Sequence, residues 1–388
     1  MDFSLTPEQE MLSQMFREFA AKEVARTADK ADKEETLPLR LLKRAAAQGF
    51  MGAIAPEEPF GGAGLDFLTF TLLLEALATE CASTALTIHV HNTLTLGTLL
   101  RRGSAAIQAN LIPAMIAGER IGAFALTEAG AGSDPTHLRT TAVRVGSEYV
   151  LDGVKTWVSN AAIAGVFVIF AATNPAAGPR GLSAFAVPVE TAGLVIGGRE
   201  HTLGLSAVSI HRVYLNECRV PADHLLGGEG EGYKIALETL DYGRVGTAAI
   251  AVGLARRAVE LGIKFAGERV QFGGPIGNKQ ALQGYLADCA TEVAAAEGLT
   301  RRAAWLAAQG QPFTQQAAMA KLFASRMAAN VTNKILQIHG GYGYIMDYPI
   351  QRYYRDARGL EIIEGTSQIQ QIVIASNLFA GTNVKVRP

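Results

Sequence analysis

Apolar positions recur at helical spacing in the first third of the chain and again in its second half, with short alternating runs between. Thr6-Pro7-Glu8-Gln9 has the makings of a helix start: a threonine N-cap, proline at the first helical position and glutamine three residues after the cap. Leu12, Met15, Phe16 and Phe19 then fall on one face, and the same period runs through 37–47, 67–81, 86–100 and 105–116. A loop dense in proline and glycine, 55–64, interrupts this pattern. The pattern predicts an N-terminal helical domain over 1–119.

From 148 to about 219 the texture changes to short runs of β-branched and aromatic residues. Tyr149-Val150-Leu151 is followed by Asp152-Gly153, a hairpin signal, and strands are expected at 166–172, 182–189 and 209–215. No helical pattern separates them, so residues 120–226 predict a small β barrel or sandwich. The glycines at 227–232 suggest a hinge. Beyond it, 235–265, 280–308 and 317–337 are long, alanine-rich and periodic, which predicts a C-terminal four-helix bundle over 227–388 with a frayed end from 381. The fold class expected is mainly α with a central β domain.

Composition narrows the task. The chain has 388 residues, 49% hydrophobic and 18% charged, with a formal net charge of -1. That is a folded chain with no basic excess for neutralising phosphates, so nucleic-acid binding is not expected. Cys81, Cys218 and Cys289 are far apart and form no metal-type pair, which fits a reducing compartment. The stretch Met1-Asp2-Phe3-Ser4 lacks the basic and apolar regions of a signal peptide, and no apolar run is long enough to span a membrane; a cytoplasmic protein is expected, or one of the mitochondrial matrix if the chain is a mature eukaryotic one.

Two stretches carry candidate chemistry. Residues 353–368 set Glu364 between Ile362-Ile363 and Gly365, and apolar neighbours favour a carboxylate basic enough to act as a general base. Glu before Gly is also a common helix ending. Residues 124–135 place Thr127 and Ser133 among small residues whose backbone N–H groups are open to a phosphate or flavin, though a glycine-rich loop is often only a loop. No βαβ pattern surrounds it, so it is not a dinucleotide fingerprint.

Together with Lys155-Thr156-Trp157-Val158-Ser159-Asn160, Glu268-Arg269-Val270-Gln271-Phe272-Gly273 and Gln337-Ile338-His339-Gly340-Gly341-Tyr342-Gly343, these stretches resemble the acyl-CoA dehydrogenase family, in the family's order and along essentially the whole chain. The resemblance implies bound FAD and α,β-dehydrogenation of an acyl-CoA thioester to the trans-2-enoyl-CoA in a homotetramer that passes electrons to an electron-transfer flavoprotein. It makes Glu364 the base that removes the α-proton and its backbone N–H a donor to the thioester oxygen. Leu126, Thr127, Ser133, Trp157, Ser159, Thr366 and Gln368 are then expected at the flavin. Arg269, Phe272, Gln280, Gln337 and Gly341 are expected at the FAD diphosphate and adenosine, and Ser133, Asp241, Arg244 and Gly365 at the substrate.

Some relatives carry the base at the position of Gly243, where glycine cannot serve. Small residues there, Gly243, Gly246 and Ala248, leave short, medium and branched acyl chains open. Trp157 could instead be a core aromatic, Arg244 a surface charge, and His89, His91 and Asn92 either pocket walls or helix-packing groups. Residues 205–210 depart from the family pattern, in which an Arg precedes a Ser/Thr pair. Competing readings are an acyl-CoA oxidase using oxygen, a flavin monooxygenase, against which an α-proton base speaks, and a non-catalytic acyl-CoA-binding protein.

Overall fold

A computed structural model describes residues 4–384 and 386; the readings placed on residues 1–3, 385, 387 and 388 lie outside the described residues. The first helix, Pro7–Phe19, starts where the capping signal puts it: Thr6 Oγ1 accepts the Gln9 N–H at 3.2 Å and Gln9 Oε1 accepts the Thr6 N–H at 3.1 Å. It runs on through a π-helical turn, Ala20–Val24, into Ala25–Lys33. Helices Leu39–Ala47, Phe67–Glu80 and Ala105–Ile116 follow the apolar periodicity. The stretch after Cys81 is one long helical path, Ala82–His89 and Gly97–Arg102, with the π-helical segment Val90–Leu96 between them.

Eight strands follow: β1 (Ile121–Ala125), β2 (Thr141–Val145), β3 (Glu148–Val158), β4 (Ala164–Ala172), β5 (Leu182–Pro188), β6 (Leu194–Arg199), β7 (His211–Pro221) and β8 (Leu225–Leu226). They form one mixed sheet in the order β6-β7-β3-β2-β4-β5-β8, with β1 parallel to β4. β4 reads as an unbroken apolar run because both its faces are covered. Val166, Val168 and Phe170 meet Ile107, Leu111 and Met115 of the Ala105–Ile116 helix, while Phe167, Ile169 and Ala171 join Leu151, Phe185 and Val213. Tyr149 lies 5.0 Å from Phe185, although their strands are not neighbours, so the sheet curls back on itself.

The Asp152-Gly153 hairpin does not form. Both residues lie inside β3, where Asp152 pairs with Thr141 and Gly153 with Leu215; the turn is at Gly146, whose φ is +63°. Gly153 is small for another reason: a Cβ there would overlap Thr140.

The bundle consists of Gly232–Glu268, Gln280–Ala308 and Thr314–His339, of 37, 29 and 26 residues, with the shorter Ile350–Leu360 and Ser367–Leu378 against them. It shares one core with the N-terminal helices, since Phe70, Leu73 and Leu77 pack with Ile250, Leu254 and Ala324. Gly253 permits this closeness: a Cβ would run into the carbonyl of Glu75. The residues that depart from the family pattern are buried here. The Leu205 N–H donates to Asp356 Oδ1 at 2.5 Å, Gly204 lies against the backbone of Arg355, and the carbonyls of Ser206 and Val208 accept from Arg199. Residues 204–208 thereby clasp the Ile350–Leu360 helix, which leads to Glu364.

Candidate active site

Glu364 sits in the turn between Ile350–Leu360 and Ser367–Leu378, with a φ of +52°, followed by Gly365 at +93°. A glutamate seldom adopts that conformation, which costs on the order of 1 kcal/mol and concentrates at functional positions. Two bonds beneath the turn hold it: Lys321 Nζ donates to the Gly365 carbonyl at 2.7 Å and Gln370 Nε2 to the same oxygen at 2.8 Å. Thr366 caps the next helix by accepting the Ile369 N–H. Lys321 is fully buried, and burial pulls its amine down to about 8 against the opposing pull of the Glu364 charge. The Glu364 N–H finds no acceptor among the described residues, which leaves it available to a ligand oxygen.

The carboxylate is 7% exposed and points at the Gly232–Glu268 helix. It can do so because that helix has no side chain at Gly243: a Cβ there would overlap Glu364 Oε2. A base at Gly243 and a base at Glu364 in this seat are therefore mutually exclusive. One turn on, Gly246 leaves room for the ring of His89, whose Nε2 lies 3.1 Å and 3.2 Å from the two oxygens of Glu364. The glycines on this helix are filled from across the interface, so they do not open a long channel.

Asp241 and Arg244 are brought together beside this centre. Arg244 is 3% exposed, which excludes a surface charge, and its guanidinium donates to Asp241 Oδ1 at 2.5 Å while Thr314 Oγ1 donates to Oδ2 at 2.5 Å. Arg244 Nε has no protein partner among the described residues. Burial favours the neutral acid at Asp241, against the nearby Arg244 charge.

The second group of residues is built on the sheet. The Thr156 N–H donates to the Thr127 carbonyl at 2.9 Å, which pairs the 126–128 segment with the 155–157 segment. Trp157, at +53°, is 57% exposed and so is not a core aromatic. Ser133 is exposed, and Gly130 and Gly132 face open space. Glu128 underlies this surface: it accepts from the backbone N–H groups of Arg139 and Thr140, from the Thr140 hydroxyl and from Lys155 Nζ at 2.7 Å. Beyond Ser159, Asn160 Nδ2 donates to the carbonyls of Thr87 and Gly122, joining this surface to the helix that carries His89. The exposed indole face, open glycines, hydroxyls and a buried Thr156 Oγ1 without a protein partner make a donor set that fits a flavin ring.

A third group lies farther out. Arg269 ends the Gly232–Glu268 helix with its guanidinium 5.2 Å from the centre of the Tyr342 ring, beside Gly341. Phe272 is 93% exposed at φ +52°, under Lys279 Nζ at 5.7 Å. Gln280, Gln337, Gly341 and Gln368 are all exposed.

His91 and Asn92 are packing groups. His91 bridges the Met51 carbonyl and the Gly122 N–H at 2.8 Å and 2.9 Å, with burial pulling its imidazole down to about 4, and Asn92 donates to the carbonyls of Phe50 and Ile88. His89 is different. Its contact with Glu364 spans 275 positions, for which the sequence carries no local signal.

Three family models match in tandem: acyl-CoA dehydrogenase N-terminal domain over residues 6–119, middle domain over 123–218 and C-terminal domain over 230–379. Among curated proteins, the chain is 44% identical to the acryloyl-CoA reductase (NADH) of Anaerotignum propionicum over 381 residues, 98% of this chain and 96% of that protein. It is 42% identical to the human mitochondrial short-chain specific acyl-CoA dehydrogenase over 370 residues, 95% of this chain and 90% of that protein. Among solved structures, a chain from that of the electron transferring flavoprotein of Acidaminococcus fermentans superposes with a TM-score of 0.96 at 40% identity, covering 98% of this chain and 100% of that one.

Proposed function

The chain belongs to the acyl-CoA dehydrogenase family of FAD-dependent oxidoreductases, and from that premise we propose that Glu364 is the base that removes the α-proton of a short acyl-CoA. The observation that carries this reading is the seat of the carboxylate: buried, in a left-handed turn held from below, facing a helix emptied of side chains at Gly243. The α-proton of a thioester is weakly acidic, so its removal needs both a placed carboxylate and a donor to the carbonyl oxygen on which charge develops. The unengaged Glu364 N–H supplies that donor. When bound, FAD supplies the acceptor for the β-hydrogen, which leaves as hydride. Leu126, Thr127, Ser133, Trp157, Ser159, Thr366 and Gln368 would hold its ring system, and Arg269, Phe272, Gln280, Gln337 and Gly341 its diphosphate and adenosine. Ser133, Asp241, Arg244 and Gly365 would line the thioester path, where the free Nε of Arg244 is the donor still to be used.

The filling of the helix grooves supports a short acyl group: Glu364 occupies the space at Gly243 and His89 that at Gly246, so neither glycine adds depth for a chain. Both curated relatives compared above are named for short acyl substrates or enzymes. Electrons would pass to an electron-transfer flavoprotein, and the assembly would be a homotetramer. An apolar groove of about 660 Å³ on the outer bundle, lined by Leu299, Met319, Leu322, Phe323 and Ile374, offers a surface for subunit contact. Among the described residues no helix is long and apolar enough to cross a membrane, and the three cysteines are free and buried, which suits a reducing compartment such as the cytoplasm.

The likeness to a reductase that uses NADH favours a second reading, in which the same centre works mainly in the direction of reduction and Glu364 returns a proton to the α-carbon. Anaerobic bleaching of the flavin by a panel of acyl-CoAs, beside its oxidation by the matching enoyl-CoAs, separates the two. Glu364→Gln is expected to keep FAD and acyl-CoA binding while flavin reduction falls by orders of magnitude. Bleaching at wild-type speed would remove Glu364 from the reaction.

A further inference from the structure

The assignment of Glu364 as base leaves its neighbour without a task, and we infer that His89 is a positioning residue: an imidazole held in place by Thr93 that donates to the Glu364 carboxylate and aims it. The inference rests on the reading of Glu364 given above. His89 is completely buried, and its Nε2 faces both carboxylate oxygens, at 3.1 Å and 3.2 Å. A carboxylate only accepts, so Nε2 must carry the proton. The other nitrogen, Nδ1, lies 3.0 Å from the Thr93 hydroxyl. A hydroxyl can donate to a bare Nδ1, the arrangement that goes with a proton on Nε2. The ring is fixed in space as well, because it fills the gap at Gly246.

The charged groups that face the carboxylate are otherwise committed. Arg244, from Gly232–Glu268, donates to Asp241, and Lys321, from Thr314–His339, donates to the Gly365 carbonyl. Both exert their charge on Glu364, yet neither is hydrogen-bonded to its oxygens. Among the described residues His89 is the side chain that does so. Two cations set the local potential; His89 sets direction. Its placement also has a backbone cause: Thr93 lies within the π-helical segment Val90–Leu96, which begins directly after His89, and such segments are frequent at functional sites.

The test is stopped-flow reduction of the flavin in the holoenzyme by butyryl-CoA across pH, for wild type, His89→Leu, His89→Gln, Thr93→Val and Glu364→Gln. His89→Leu removes the donor and is expected to lower the limiting rate roughly 10- to 100-fold, the scale of a misplaced reacting group. The concentration of butyryl-CoA giving half the limiting rate should change little. The pH midpoint of the rate should move upward, because the carboxylate has lost a donor that favours its charge. His89→Gln, which presents an amide N–H, should recover part of the rate and bring the midpoint back. Thr93→Val, close in shape to threonine, should shift the midpoint in the direction of His89→Leu by a smaller amount. It also stands in if His89→Leu does not fold. Wild-type rates and midpoints in His89→Leu and Thr93→Val would overturn the inference, as would equal losses in Leu and Gln variants with an unmoved midpoint, the signature of a packing role. Glu364→Gln separates the two levels: a wild-type rate there ends the base assignment itself, whereas an inactive Glu364→Gln beside a normal His89→Leu rejects only the role of His89.

Discussion

Glu364, Trp157 and Phe272 were singled out by motif, and all three adopt positive φ without being glycine. Such conformations persist where surrounding structure over-determines them, and here the determinants are visible: Lys321 and Gln370 beneath Glu364, and the Thr156–Thr127 bond beside Trp157. Gly243 offers the sharpest test at this scale. Gly243→Ala improves helix propensity by up to about 1 kcal/mol, and the atoms it meets, Glu364 Oε2 and Leu94 Cδ2, are the free ends of side chains able to shift away. The melting temperature is expected to hold or rise while the flavin-reduction rate drops at least tenfold, as measured by scanning calorimetry and stopped flow on the same preparation. Loss of both together would mean that the methyl disrupts packing instead. The candidate base was legible in sequence because its apolar neighbours and terminal glycine are adjacent to it and because the other family motifs, and glycine at position 243, accompany it. His89 was not, since what defines it is a carboxylate 275 positions away and a gap at Gly246.

Among elements, the Ile350–Leu360 helix shows where local pattern stops, because nothing in its own segment announces the clasp that holds it. Asp356 accepts the Leu205 N–H from 151 positions away, and residues 205–210 were recognisable only as a departure from a pattern. The Asp152-Gly153 reading failed for the same kind of reason, because turn chemistry was present but the register was set by Thr140 and the partner strands. Asp356 is buried at 3% exposure, and burial pushes its carboxyl from 3.8 up to about 6 despite the opposing Leu205 bond and Arg352 charge. Since the folded value lies above the unfolded one, its contribution to stability is fully present below pH 3.8 and is lost as pH rises through about 6, a swing of roughly 3 kcal/mol at most. Asp356→Asn keeps an acceptor for Leu205 and cannot ionise. Urea denaturation across this window should find the variant gaining on wild type as pH rises; parallel curves would show that the carboxyl does not titrate there.

For the whole molecule, helical, β and helical regions could be read directly from the change in period, whereas the single core shared by the first helices and the bundle could not. That core depends on close approaches such as Gly253 on Glu75, and no local pattern announces them. The exposed residues proposed to hold the FAD tail belong to this scale too. Phe272 is so exposed that its loss should leave the stability of one subunit within about 0.5 kcal/mol. Phe272→Ser is therefore expected to melt normally as apoprotein yet lose FAD more readily on gel filtration; unchanged retention would place the FAD tail elsewhere.

The three free thiols carry a practical consequence. Cys81 lies between N-terminal helices, Cys218 in β7 and Cys289 in the Gln280–Ala308 helix, one in each region, and all are buried, with burial pushing Cys218 and Cys289 up to about 11. A buried, protonated thiol is inert to alkylating reagents until its surroundings open. The molecule thus contains three internal clocks, and the order in which they are labelled under mild denaturant reads out which region comes apart first.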